Sequence, residues 1–148
     1  MAWEDLNEEA LEDLAANVAR TLKPGDVVVL SGEVGAGKTT FVRAAARSLG
    51  VAERVTSPTY QLARSYEGIV DGRRAAVNHL DLYRLEGIEA GDVLELDDYL
   101  NPRAVTFVEW AEPALALLEG PTVVRISHRT PATRRVSIEG PVAGRLEC

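Results

Sequence analysis

At 148 residues, with 46% apolar and 26% charged positions and a net charge of −7, the composition is that of a single soluble globular domain, 1–148, with enough chain for a proper core. The acidic balance argues against a free-standing nucleic-acid binder, and no apolar run approaches a membrane span. The acidic opening Trp3-Glu4-Asp5 is no secretory signal, and the single Cys148 can form no internal disulfide, so a cytoplasmic setting is expected.

Leu11, Leu14, Ala15, Val18, Ala19 and Leu22 recur at helical spacing and predict an amphipathic helix from about Asn7 to Leu22, ended by Pro24-Gly25. Asp26 to Leu30 is a short apolar run that reads as a buried strand. It leads into Gly32-Glu33-Val34-Gly35-Ala36-Gly37-Lys38-Thr39, the GxxxxGK[ST] pattern of a phosphate-binding loop. The chemistry needs these residue types. Glycines let backbone N–H groups turn inward around an anion, the lysine reaches the outer phosphates, and the hydroxyl after it coordinates Mg²⁺. Phe41, Val42, Ala45, Ala46 and Leu49 then predict the helix whose N-terminus faces the same charge, with Gly50 as its stop. The chain has two lysines against fourteen arginines, so a chance match to this pattern is about one in a thousand.

Val51 to Tyr60 reads as irregular, with Thr56-Ser57-Pro58-Thr59 at its centre. A hydroxyl-bearing loop at this remove from Thr39 can close over a γ-phosphate and reopen; the simpler reading is an ordinary Ser-Pro turn. Gln61 to Tyr66 and Ala75 to Leu80 predict two strands of a hairpin joined through Gly68 and Asp71-Gly72. Glu86 to Leu100 predicts one short helix, Val105 to Val108 a strand, and Ala114 to Leu118 another short helix. Thr122 to Ser127 and Arg134 to Ile138 predict a last hairpin. Helices alternating with strands early and hairpins later give an α/β class with a mixed sheet.

Hydrolysis needs an acid for the metal and a group to place water. Glu109 follows the strand Val105–Val108, and Asp81 follows the strand ending at Leu80. Each stands where open α/β sheets bind ligands, and spacing does not choose between them. His79 is a weak base candidate at a strand end, and Trp110 reads chiefly as core. Positions 125 to 145 hold Arg125, Arg129, Arg134, Arg135 and Arg145 against the one acid Glu139. That pattern fits a solvated hairpin surface better than a docking patch for an acidic partner or RNA.

Four motifs in order, Gly32 to Phe41, Thr56 to Tyr60 (Thr-Ser-Pro-Thr-Tyr), His79 to Leu85 (His-Leu-Asp-Leu-Tyr-Arg-Leu) and Val108 to Glu112 (Val-Glu-Trp-Ala-Glu), resemble the TsaE family. The resemblance covers roughly residues 5 to 112. It implies a P-loop NTPase-like three-layer fold with a mixed central sheet, and a weak, Mg²⁺-dependent ATPase that serves bacterial tRNA threonylcarbamoyladenosine modification. ATP on such a component would reset the TsaD–TsaB pair, with tRNA met only through that complex. Carried onto this chain, Gly35, Ala36, Gly37, Lys38, Thr39 and Thr40 would hold the phosphates, with Thr59 in the neighbouring loop. Thr39 and Glu109 would be metal-side ligands, Asp81 would serve the metal or its water, and Glu8 would lie near the base or ribose. Ala10 and Leu14-Ala15 depart from the family's first helix, and Ala111 stands where it often has proline after Glu-Trp.

A small P-loop metabolite kinase is the main alternative, with Asp81 and Arg84 as an acceptor site. No arginine-clustered lid stands between Glu86 and Val105. A GTP-driven switch is disfavoured because the Asn-Lys-x-Asp signature is absent.

Overall fold

The computed structural model describes residues 1–33, 35–55, 63–82, 99–111, 115 and 118–146. Expectations for the Thr56–Thr59 loop, for Arg84, for the helix within 86–100 and for most of 114–118 therefore lie outside the described residues.

Seven strands, β1 (Ala2–Leu6), β2 (Val27–Ser31), β3 (Ala63–Val70), β4 (Arg73–Asp81), β5 (Val105–Glu109), β6 (Thr122–Thr130) and β7 (Thr133–Glu139), form one mixed sheet. Three helices are described, α1 (Glu8–Thr21), α2 (Lys38–Ser48) and α3 (Pro141–Leu146). The strand order is β1-β7-β6-β2-β5-β4-β3. The middle four, β6-β2-β5-β4, run parallel, while β3, β7 and β1 pair antiparallel at the flanks.

Side chains alternate across a strand, and the core divides accordingly. Val28 and Leu30, Val105 and Phe107, and Val124 and Ile126 join α1 and α2 in the larger cluster. Val29, Leu80 and Val108 belong to a smaller cluster on the other face, with Tyr99, Leu100 and Leu118 packed against it. Asn7 Oδ1 accepts from Ala10 N at 2.8 Å and caps α1, with Glu8 and Glu9 in the first turn, where carboxylates favour the helix dipole.

Three elements depart from the sequence-based expectation, one of them α3, a helix that the sequence reading does not anticipate after the last hairpin. Gly68 was expected in the turn, yet β3 runs through it to Val70, and the reversal is Asp71-Gly72 alone, both at positive φ (52° and 80°) as a two-residue hairpin turn requires. Gly68 serves packing instead: a Cβ there would stand 2.8 Å from Val77 Cγ2 and 2.9 Å from the Leu49 carbonyl oxygen. The third departure is β1, whose acidic sequence carries no strand alternation. Its order comes from pairing with β7, and the register shifts between Trp3 and Leu6, where Asp5 takes φ 55°.

Candidate functional site

Parallel register decides which side chains meet. Asp81 on β4 is paired with Glu109 on β5, and Glu109 in turn with Leu30 on β2. Register partners share a face, so both carboxylates stand on the α1/α2 side of the sheet. They lie at the C-terminal edge of adjacent strands, beside the strand that enters the phosphate loop. The spacing in the sequence identifies each acid as a strand end; the sheet makes them neighbours.

The loop leaves β2 at Gly32, whose backbone runs so close to β6 that a Cβ would stand 2.3 Å from the Ile126 carbonyl oxygen. Only glycine fits this approach. The loop then turns into α2 at Gly37 (φ 117°), and no side chain caps that helix end. Its first turn also carries no acid, so the positive end of the dipole is directed at the loop.

A cavity of about 300 Å³ is lined by Gly35, Gly37, Lys38, Thr39, Thr40, Asp81, Glu109 and Trp110. It joins seven residues of the sequence-predicted site with one other, Trp110. A second cavity, of about 390 Å³, shares Gly35, Gly37 and Thr40 and extends over Glu8, Leu11, Pro131, Ala132 and Arg134. Glu8, implied by resemblance to lie near a base or ribose, thus stands beside the loop but away from the two acids. Ala36 is fully buried under the loop, and Thr59 lies outside the described residues.

Lys38 is only 6% exposed. Its Nζ donates to the Gly32 carbonyl oxygen at 2.7 Å and stands 3.7 Å from the centroid of the Trp110 ring. A buried ammonium is costly unless something offsets its lost hydration, and a carbonyl plus an aromatic face do so in part. Trp110 is therefore not simply core, as expected from sequence, but a half-buried cover over the lysine. Its backbone sits at φ 56°, a left-handed conformation that costs a side-chain-bearing residue on the order of 1–3 kcal/mol and concentrates at functional sites.

Glu109 is 3% exposed, and its Oε2 accepts from His79 Nε2 at 2.5 Å. His79, at 1% exposure, is a buried partner of the candidate metal acid, a role its strand-end position did not signal. Arg134 is a second residue that the sequence undervalued. Its Nε donates to the Ala36 carbonyl oxygen at 2.8 Å, tying the β6–β7 hairpin to the phosphate loop across 98 positions of sequence. The arginine cluster was visible in the sequence; its reach to the loop was not.

The residues present suit Mg²⁺, which prefers oxygen donors and binds through one or two carboxylates plus substrate phosphates. Thr39, Asp81 and Glu109 offer such a set along one cavity wall. Among the described residues no group of three or more His, Cys, Asp or Glu forms a metal cage, which a phosphate-assisted site does not require.

The remaining C-terminal arginines bond within the chain. Arg125 pairs with Glu139, Arg129 with Glu4 and Asp5, and Arg135 with Glu4. Arg145 binds Asp26, whose hydrogen bond holds the guanidinium above its ordinary pKa despite the opposing effect of burial. No described helix is long and apolar enough to cross a membrane.

A profile for the threonylcarbamoyl adenosine biosynthesis protein TsaE matches residues 6–136. The chain is 38% identical over 112 residues to the tRNA threonylcarbamoyladenosine biosynthesis protein TsaE of Bacillus subtilis; the match covers 75% of this chain and 66%, just under two thirds, of that protein. It is 43% identical over 103 residues to the protein of the same name from Streptomyces coelicolor, covering 69% of this chain and 68% of the other. The fold is similar to the crystal structure of Bacillus subtilis YdiB, with a TM-score of 0.74 and 30% identity over 99% of this chain and 88% of that one.

Proposed function

Because the chain belongs to the TsaE family of threonylcarbamoyl adenosine biosynthesis proteins, we propose that it is a weak, cytoplasmic Mg²⁺-dependent ATPase acting in tRNA threonylcarbamoyladenosine modification. In this reading its nucleotide state resets the TsaD–TsaB pair. The observation that carries the ATPase part is the cavity uniting the phosphate loop with Asp81 and Glu109. A loop that only bound Mg²⁺-nucleotide would need one acid for the metal; the second is what hydrolysis adds, to place water.

The phosphates of ATP are held by the inward N–H groups of Gly35 to Thr40 and by the N-terminal end of α2. Lys38 exchanges the Gly32 carbonyl for the outer phosphate oxygens, a stronger, charge-assisted bond. Thr39 and Glu109 would hold Mg²⁺, which would supply positive charge against that developing on the phosphates in the transition state. Asp81, beside Glu109 in the sheet, orients the attacking water and accepts its proton. Trp110 limits water at the lysine. The ribose and base lie along the second cavity past Glu8, where Arg134 braces the loop from behind. Among the described residues, the two cavities beside the loop are taken up by the nucleotide in this reading. The energy of hydrolysis therefore goes into a change of state sensed by a partner.

Co-elution tests the proposal. The purified chain is expected to bind the TsaD–TsaB pair in a nucleotide-sensitive way and to hydrolyse ATP slowly without an added acceptor. Absence of binding with and without ATP, or turnover that depends on an added hydroxyl compound as in a metabolite kinase, would overturn it.

A further inference from the structure

A carboxylate that is to hold a metal from a buried position needs one oxygen fixed and the other offered. Glu109 sits at the last residue of β5 with its side chain buried on the α1/α2 face, and it borders the cavity beside Thr39 and Asp81. His79 lies on the adjacent parallel strand, in register with Phe107, two residues before Glu109. The strand period of two places His79, Asp81 and Glu109 on one face. From that position the ring reaches Glu109 Oε2 at 2.5 Å. An ionised carboxylate can only accept, so Nε2 carries the proton in this bond. Among the described residues His79 Nδ1 finds no hydrogen-bond partner, so the ring is anchored in this site through its bond to Glu109.

We infer that His79 is a positioning residue for Glu109: its Nε2–H fixes one carboxylate oxygen so that the other faces the metal side of the cavity. The inference rests on the proposed role of Glu109 as a metal ligand. An imidazole suits the task. It supplies a directional N–H from a rigid ring that packing locks in place, whereas arginine or lysine would bring a permanent positive charge next to a dication. Partners of this kind orient metal ligands in many sites, and losing one costs roughly 10- to 100-fold in metal affinity. A histidine that merely filled the core would be equally well replaced by an apolar side chain of similar volume.

The two roles separate by experiment. Mn²⁺, a spectroscopic substitute for Mg²⁺, is titrated into full-length protein with ATP and followed by electron paramagnetic resonance. Nucleotide affinity is measured in parallel in EDTA by calorimetry. His79→Leu is expected to weaken Mn²⁺ binding by about 10-fold or more and to leave the affinity in EDTA unchanged. His79→Gln, whose amide nitrogen reaches the same place as Nε2, is expected to restore Mn²⁺ binding to within about threefold of wild type, well short of that loss. If His79→Leu does not fold, His79→Phe supplies a ring without donors. Wild-type Mn²⁺ affinity in the donor-less variant, or equal losses in both variants, overturns the inference while Glu109→Gln still abolishes Mn²⁺ binding. Unchanged Mn²⁺ binding in Glu109→Gln itself overturns the assignment of Glu109, and the inference with it.

Discussion

The charged side chains around the β6–β7 hairpin and those at the C-terminal edge of β2, β4 and β5 obey different physics. On the hairpin, Arg125, Arg129 and Arg135 pair with Glu139, Glu4 and Asp5 at 2.8 to 3.6 Å, and each of these side chains is 47% exposed or more. Such pairs form in high dielectric, are screened by salt, and contribute a few tenths of a kcal/mol, about 0 to 1 at most. At the strand edge, Lys38, His79 and Glu109 are all under a tenth exposed. Burying these groups opposes folding unless partners compensate, and well-packed apolar residues would hold a sheet edge at least as firmly. Charge on the hairpin is what a solvated surface carries anyway. Charge at the strand edge is what the proposed nucleotide site would require.

The contrast breaks most readily at Lys38. Lys38→Ala removes the cation that this reading assigns to the outer phosphates. Two lost charge-assisted hydrogen bonds, each about 1.5–3 kcal/mol, would lower ATP affinity by about 100-fold or more. Calorimetry reads this directly, and unchanged affinity would remove the phosphate-loop assignment. Asp81→Ala comes next. With the loop and Lys38 intact, ATP affinity is expected to stay within a few fold, while turnover falls by about 100-fold, the low end of what a positioned base contributes. Wild-type steady-state rates in this variant would place Asp81 outside the chemistry and leave, among the described residues, Glu109 as the acid of the site with a catalytic part.

How much of this was legible in the sequence varies by the physics that decides each feature. α1, β2 and α2 are set by local periodicity and by the glycine-rich loop between them, and the structure places them within a residue or so of the expected bounds. Asp81 and Glu109 were each recognisable as strand ends, but their adjacency depends on the β4–β5 register, which links residues 28 positions apart. His79 was read as a weak base because a strand-end histidine carries no local signature. Its meaning comes from the carboxylate opposite. The turn at Asp71-Gly72 followed local rules, whereas Gly68 was misplaced because its reason is a neighbouring strand and the end of α2. β1 could not be seen, since its acidic residues become a strand only by joining an edge that β7 provides.

The hairpin side of the comparison is sharpened by the smallest expected effect. Arg129→Ala and Arg135→Ala remove exposed ion pairs to Glu4 and Asp5, so each should change unfolding free energy by less than about 0.5 kcal/mol in a urea titration. Because the acids they engage belong to the same chain, the patch has little uncompensated positive charge to offer a partner. The proposed association with the TsaD–TsaB pair should therefore weaken by less than about twofold, less than 0.5 kcal/mol, in either variant. A loss of about tenfold or more would mean that the arginines exchange Glu4 and Asp5 for a partner's acids. The hairpin would then belong, with the strand edge, to the working surface of the molecule. That exchange would also strengthen at low salt, since rim charges act through long-range attraction, whereas Lys38 and Glu109, already withdrawn from solvent, should respond little to ionic strength.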